Sequence, residues 1–296
     1  MTTALAPDRD LINGFSFANC HRNAYLTSKG FPVPKAKSTG TTIVGVTYGG
    51  GTTPGVVLGS DTRATEGDIV ADKTCIKIRQ LQPNIYSAGA GTAADIDAVA
   101  KKMTANLELH RLNTGRVVPV VTASRMTKQF LFQYQGYIGS AFIIGGVDNG
   151  GPGLYEIYPH GSSARLPYCT LGSGSLAAMT VLESKWRPDL TSTEAEQLVR
   201  EAIRSGIFND LGSGSNVDIC HITKEKSYFR RGFDIACEKG IRSKEYRFKS
   251  GSTAVLSEMR VPLVVEETKV TPIIEQMTGI PIRVKAGEEK EAMDVS

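Results

Sequence analysis

The sequence predicts an α+β chain in which antiparallel sheets lie between helical layers. Three observations predict it. A strand-type apolar pattern begins abruptly at Thr41, after some forty polar and poorly patterned residues. Strand-type and helix-type stretches then arrive in blocks: strands, two helices, strands, two helices, strands. That grouping, in place of a strict βαβ alternation, favours antiparallel sheets covered by helices over a parallel doubly wound sheet.

Residues 1–40 carry no sustained period of two or of 3.6, and they end in FPVPKAKSTG, a linker rich in Pro, Lys and Gly. TTIVGVTY and GVVLGSDT read as short strands joined by the glycine-rich hairpin loop GGGTTP. Strand-like runs follow at DIVA, CIKIRQL and NIYSAGAG. TAADIDAVAKKMTANLELHR has helical spacing, and Thr92 with Asp95 three residues on has the form of an N-terminal cap. A second helix is expected over about 122–134. AFIIGGV, GLYEIYP and LPYCTLG are strands, SLAAMTVLESKW and TSTEAEQLVREAIRSGIFND are helices, and NVDICHIT with SYFRRGF makes a last strand pair. Beyond about Gly240 short apolar stretches alternate with charges and prolines, the pattern of an extended arm.

The bulk properties exclude several classes. A net charge of +4 over 296 residues makes no case for nucleic acid or a membrane surface. No window approaches 18 uninterrupted apolar residues, and the first residues, MTTALAPDRDLINGF, hold charges where a signal peptide needs an apolar core. The chain is therefore expected inside the cell, without a membrane partner. Five cysteines without a CxxC spacing read as reduced thiols, and four dispersed histidines supply no metal-binding motif, so neither metal nor cofactor is expected.

The remaining motifs divide into mimics and candidates. GAGTAA, Gly89 to Ala94, imitates a dinucleotide fingerprint, but two helices follow it where a βαβ unit needs a strand. Its useful property is that Gly91 lies at a helix start, where a backbone N–H can meet a developing oxyanion. LGSGS occurs twice, at 171–175 and 211–215, so Ser173 and Ser213 are either turn residues or hydroxyls aimed at a polar site. Asp61 and Arg63 lie where a strand ends, and Lys77 sits inside the apolar run CIKIR, on the face opposite Ile76 and Ile78. An ammonium between packed layers needs a carboxylate, and Asp61 is the natural partner.

Read together, TTIVGV, GSDTRAT, DKTCIKI, NIYSAGAGTAAD, YQGYIGSAFIIGGVD, YPHGS, LGSGSLAAM and IFNDLGSGSNVD closely resemble the proteasome beta-type subunits, in the form responsible for trypsin-like cleavage, over residues from about 14 to 256. The resemblance implies a four-layer αββα sandwich, the N-terminal-nucleophile hydrolase fold. It implies a propeptide over 1–40, cut between Gly40 and Thr41, a hydrolase domain over 41–240, and an arm over 241–296 that clasps a neighbouring subunit. Thr41 is then the nucleophile of a threonine endopeptidase and its freed α-amine the base. A peptide nitrogen cannot accept a proton, whereas an α-amine titrates at about 7.7–8.0 and suits proton transfer near neutral pH. Gly40 has no side chain to obstruct attack on its carbonyl. The same resemblance pairs Asp61 with the site lysine Lys77 (Lys73 being a second candidate), and gives Ser173, Asp210 and Ser213 the holding of the threonine. It makes Gly91 the oxyanion donor and leaves Arg63 in support. For specificity it implies an open pocket above Gly89, walled by Cys75, with Asp97 favouring basic side chains before the cut. Asp97 also reads as an ordinary first-turn acid. No cofactor is implied. The implied partners are the other alpha and beta subunits of a four-ring, 28-subunit core particle and unfolded protein or peptide substrates, in cytoplasm and nucleus. Two departures are the hairpin at 49–55 and the arm, both longer than usual.

Overall fold

The structure, a computed structural model, describes residues 18–31, 38–51, 53–241, 247, 249–252 and 254–262. The chain divides into two units, Met1–Gly240 and Ile241–Ser296. In the second unit the described residues form no helix or strand, and residues 268–296, part of the long arm, lie outside them.

Two antiparallel sheets form the middle of the first unit. One runs in the order β11 (Tyr168–Leu171), β2 (Ile43–Tyr48), β3 (Gly55–Asp61), β12 (Asn216–Ile222) and β13 (Ser227–Ile235). The other runs β1 (Ser38–Thr39), β7 (Ile85–Thr92), β8 (Ser140–Asp148), β9 (Gly151–Ile157) and β10 (Ser163–Arg165), with β6 (Ile78–Gln82) also paired to β7. A small ribbon of β4 (Ala64–Glu66) and β5 (Ile69–Asp72) stands apart. Helices α2 (Ala93–Thr114) and α3 (Val120–Gln133) cover the second sheet, and α4 (Ser175–Lys185) and α5 (Ser192–Asn209) the first. The result is the expected αββα sandwich.

The layering follows from period-two alternation in strands that are covered on both faces. Ile43 and Leu58 point into the core between the sheets, while their neighbours Val44 and Val57 point into the core beneath α4 and α5. In β8, Ile143 faces the other sheet, and Phe142 and Ile144 face α2 and α3. Such strands read as near-continuous apolar runs because neither face meets water. Each of these side chains contributes roughly 1.5–3 kcal/mol on burial.

The ends of the elements are set by local chemistry. Thr191 and Glu194 open α5 with a reciprocal capping box, the Thr191 N–H donating to the Glu194 carboxylate at 2.9 Å. Thr92 precedes α2 as expected but makes no side-chain cap; Asp95 instead accepts from the Gly139 N–H at 2.9 Å, tying the helix start to β8. Two further expectations are corrected. An 11-residue helix, α1 (Ala18–Ser28), lies in the stretch read as patternless, its weakly amphipathic sequence giving no clear period. Lys77 immediately precedes β6 and is not inside it, although its carbonyl already accepts from the Gly89 N–H of β7 at 3.2 Å.

Two features of this frame bear on chemistry. Since β8 occupies one side of β7 over Ile85–Gly91, β6 and β1 share its other side, β6 pairing along Ile85–Ala88 and β1 at Gly91–Thr92. Away from that edge, His221 on β12 is 3% exposed, with Nε2 2.5 Å from the Tyr48 hydroxyl and Nδ1 2.8 Å from both Glu196 and the Tyr228 hydroxyl. Burial pushes the His221 imidazole down, against the opposing pull of Glu196. It pushes Tyr48 up to about 12.

Candidate active site

Thr41 leaves β1 and enters β2, and its side chain lands among the groups the sequence singles out. The Lys77 Nζ lies 2.7 Å from Asp61 Oδ1, 3.1 Å from Thr41 Oγ1 and 3.0 Å from the Gly40 carbonyl oxygen. The Thr41 hydroxyl itself donates to that carbonyl at 2.7 Å. Asp61, fully buried at the end of β3, accepts from the N–H groups of Thr42 (2.9 Å), Arg63 (3.1 Å) and Gly214 (3.1 Å). Burial pushes its carboxyl up, and the Lys77 ammonium and the amides of Thr42 and Gly214 oppose that push. Lys73, the second candidate, is exposed, and its carbonyl accepts from the Thr62 hydroxyl at 2.7 Å. Lys77 is the lysine of this site.

A second cluster holds the backbone of residue 41. The Thr41 N–H donates to Ser173 Oγ at 3.1 Å, and Ser173 and Ser213 both donate to Asp210 Oδ2, at 2.6 and 2.7 Å. Against the upward push of burial, these bonds and the Gly212 N–H hold the Asp210 carboxyl below its usual value. Composition and motif reasoning alone did not find three further members. Thr42 Oγ1 pairs with Ser213 Oγ at 2.6 Å, Gly174 N–H donates to the Thr41 carbonyl at 3.2 Å, and Gly40 N–H donates to Thr65 Oγ1 at 3.2 Å. The doubled LGSGS motif is the signal for two of these contacts, since each copy supplies both a serine and an adjoining glycine.

Gly40 and Gly212 meet backbone to backbone. A Cβ added at 40 would lie 2.3 Å from the Gly212 Cα. Arg63 lies flat over Gly214 and donates from Nη1 to the Leu211 carbonyl at 2.9 Å, clamping the loop that carries Ser213; its Nε has no partner among the described residues. Gly91 has φ +122°, and a Cβ there would lie 2.3 Å from the Gly139 carbonyl oxygen, so only glycine fits. Its register partner is Thr39, two residues before Thr41.

The expected pocket is less open than the sequence suggests. The space above Gly89 is filled by Ile96, whose Cγ2 would lie 2.4 Å from an added Cβ. Asp97, half-exposed, is ion-paired with Arg79 at 2.6 Å. Cys75 is half-buried near Lys77, and burial raises its thiol. All five cysteines are free: Cys169 and Cys220 are buried in strands, while Cys20 and Cys237 are exposed.

Residues 37–222 match the family described as "Proteasome subunit", and residues 236–270 match "Proteasome beta subunits C terminal". The chain is 50% identical to proteasome subunit beta type-7-B of Arabidopsis thaliana over 277 residues, 93% of this chain and 96% of the relative. The chain belongs to the proteasome beta subunit family. It is also 52% identical to proteasome subunit beta type-7 of Dictyostelium discoideum, covering 84% of this chain and 92% of that one. With proteasome subunit beta type-10 of Bos taurus it shares 48% identity over 91% and 96% of the two chains. Proteasome beta subunits assemble with other proteasome subunits in the core particle, and the family is one of peptidases. The site described above therefore belongs to a proteasome beta subunit whose Gly40–Thr41 bond is intact in this structure.

Proposed function

We propose that this proteasome beta subunit is a catalytic threonine endopeptidase, made as a zymogen and opened by cutting its own Gly40–Thr41 bond. The observation that carries the reading is the convergence of the Thr41 hydroxyl and the Lys77 ammonium on the Gly40 carbonyl oxygen. In the self-cut, Thr41 Oγ bonds to the Gly40 carbonyl carbon and its proton passes to the departing Thr41 nitrogen as the C–N bond breaks. Lys77 donates to the oxygen on which negative charge develops. Water then hydrolyses the resulting ester, releasing the Gly40 carboxylate and restoring the hydroxyl.

The cut creates the base. The freed amine of Thr41 starts beside Ser173, which Asp210 orients, so a carboxylate stands behind the protonated form. In turnover that amine takes the Thr41 proton as Oγ attacks a substrate carbonyl, the Gly91 N–H meets the oxyanion, and the leaving amide nitrogen takes a proton. Removal of Ser38–Thr39 also bares the β7 edge at Gly91–Thr92, so a substrate strand can pair there through its backbone while a side-chain pocket reads it. Asp97 and Cys75 line that pocket beside the space over Gly89 that Ile96 occupies, and the acid gives it a preference for Lys or Arg before the cut. Residues 241–296 act as an arm on a neighbouring subunit, a role supported by the C-terminal family match.

The test is Thr41→Ala in the assembled particle. Retention of residues 1–40 by intact mass, with loss of cleavage after Lys and Arg, is expected. Cleavage at the unaltered rate would defeat the reading and leave a structural ring subunit.

A further inference from the structure

The expected selectivity of the pocket depends on a free acid at Asp97, yet the structure gives that acid a partner. Asp97, which the sequence offered as a first-turn acid, is the fifth residue of α2 and lies just past its first turn, next to Ile96, which fills the space over Gly89. Arg79, on β6 opposite Ser87, places Nη2 2.6 Å from Asp97 Oδ1 on α2, the helix that packs on this strand. A cation native to the chain thus already occupies the acid proposed to select basic side chains. Arg79 is 27% exposed and Asp97 50%, so the pair is held in a wet environment. Ion pairs of that kind contribute little and exchange partners readily.

We propose that Arg79 is a specificity-determining residue, a displaceable counter-ion that a basic substrate side chain must replace at Asp97. This rests on the catalytic reading above. The substrate class follows: basic side chains are preferred over neutral ones, but weakly, because each must first displace a guanidinium that carries the same charge. Neutral side chains enter against an already neutralised pair and meet no unpaired acid.

The test uses assembled particles carrying Arg79→Ala, Arg79→Lys, Asp97→Asn and the Arg79→Ala/Asp97→Asn pair. Two fluorogenic peptides differ only in arginine or its neutral isostere citrulline before the cut. The readout is the ratio of their kcat/KM values, alongside labelling of Thr41 by a covalent probe. Arg79→Ala is expected to raise the arginine-to-citrulline ratio about two- to fivefold, through KM, and Arg79→Lys to leave it near the unaltered value. Asp97→Asn is expected to lower the ratio, since Arg79 then faces the substrate cation unneutralised. The double variant returns it to near one. A merely structural role for Arg79 would move both peptides together and leave the ratio fixed. Labelling of Thr41 with a ratio that Arg79→Ala leaves unchanged or lowers would overturn this proposal alone. Absence of labelling in the unaltered particle would overturn the catalytic reading and this proposal with it.

Discussion

On the proposed mechanism, replacing Gly212 by alanine separates self-cleavage from substrate cleavage. A Cβ at 212 would lie 2.8 Å from the Gly40 Cα, 3.3 Å from Ser173 Oγ and 3.4 Å from Asp210 Oδ1. The first contact is backbone against methyl, so no side chain can rotate away from it. Ordinary van der Waals contact begins at 3.4 Å, so residue 40 must retreat by about 0.6 Å, carrying the scissile carbonyl away from Thr41 Oγ and Lys77. A misplacement of about 1 Å costs on the order of a hundredfold, and a shift of this size predicts self-cleavage slowed by roughly ten- to a hundredfold. Once the bond is cut Gly40 has left, and the remaining contact falls on the Ser173 hydroxyl, which can give by a few tenths of an ångström. Two assays follow: the fraction of chain starting at Thr41 against time, by intact mass, and peptide turnover by a variant whose Thr41 is exposed by removing an N-terminal fusion. Slow processing with turnover within about threefold of normal is expected. Processing at the unaltered rate, or equal losses in both assays, would refute the contact argument.

Two further outcomes are expected. Lys77→Ala leaves Asp61 fully buried without its cation and should lower the stability of the chain by about 3–5 kcal/mol, whereas Lys77→Met combined with Asp61→Asn should recover most of that loss; denaturant midpoints of the variants measure both, and a Lys77→Ala loss below about 1 kcal/mol would mean that Asp61 needs no counter-ion. For pH, burial depresses the His221 imidazole below its ordinary 6.5. The unfolded chain therefore takes up the proton first as pH falls, so the stability from neutral His221 is present above 6.5 and is lost below it. Thermal midpoints between pH 7 and 5 should fall for the unaltered chain and fall less for His221→Gln; equal slopes would mean that His221 titrates normally.

Most of the sandwich was legible because its strands obey period two and its helices carry their own punctuation. The helix expected over TSTEAEQLVREAIRSGIFND does start there, where Thr191 and Glu194 form a capping box with both hydrogen bonds. Thr92 and Asp95 have the same form three residues apart, but Asp95 is diverted to Gly139, a residue 44 positions away. Local chemistry cannot reveal that competition. The reactive cluster was legible for a similar reason. Asp61 and Lys77 are charges set in apolar strand sequence, which require each other on burial. The state of the pocket was not legible. Whether Gly89 leaves a void depends on where Ile96 points, and whether Asp97 is free depends on Arg79, which approaches from another strand. Helix α1 escaped because its 11 residues show little segregation of apolar side chains, so no stripe announces it.

The two residues Ser38 and Thr39 have a consequence for the chain before it meets any partner. They pair with Gly91–Thr92, the stretch of β7's second edge that lies beyond β6 and beyond the Lys77 carbonyl bonded to the Gly89 N–H. An unpaired strand edge is a template on which other chains can build sheet, the usual route to swapped and aggregated forms. In the uncut state that template is occupied by the chain's own backbone, with the Thr39 hydroxyl adding a bond to the Gly91 carbonyl at 3.3 Å. Two residues of backbone thus close an edge that another chain could otherwise extend.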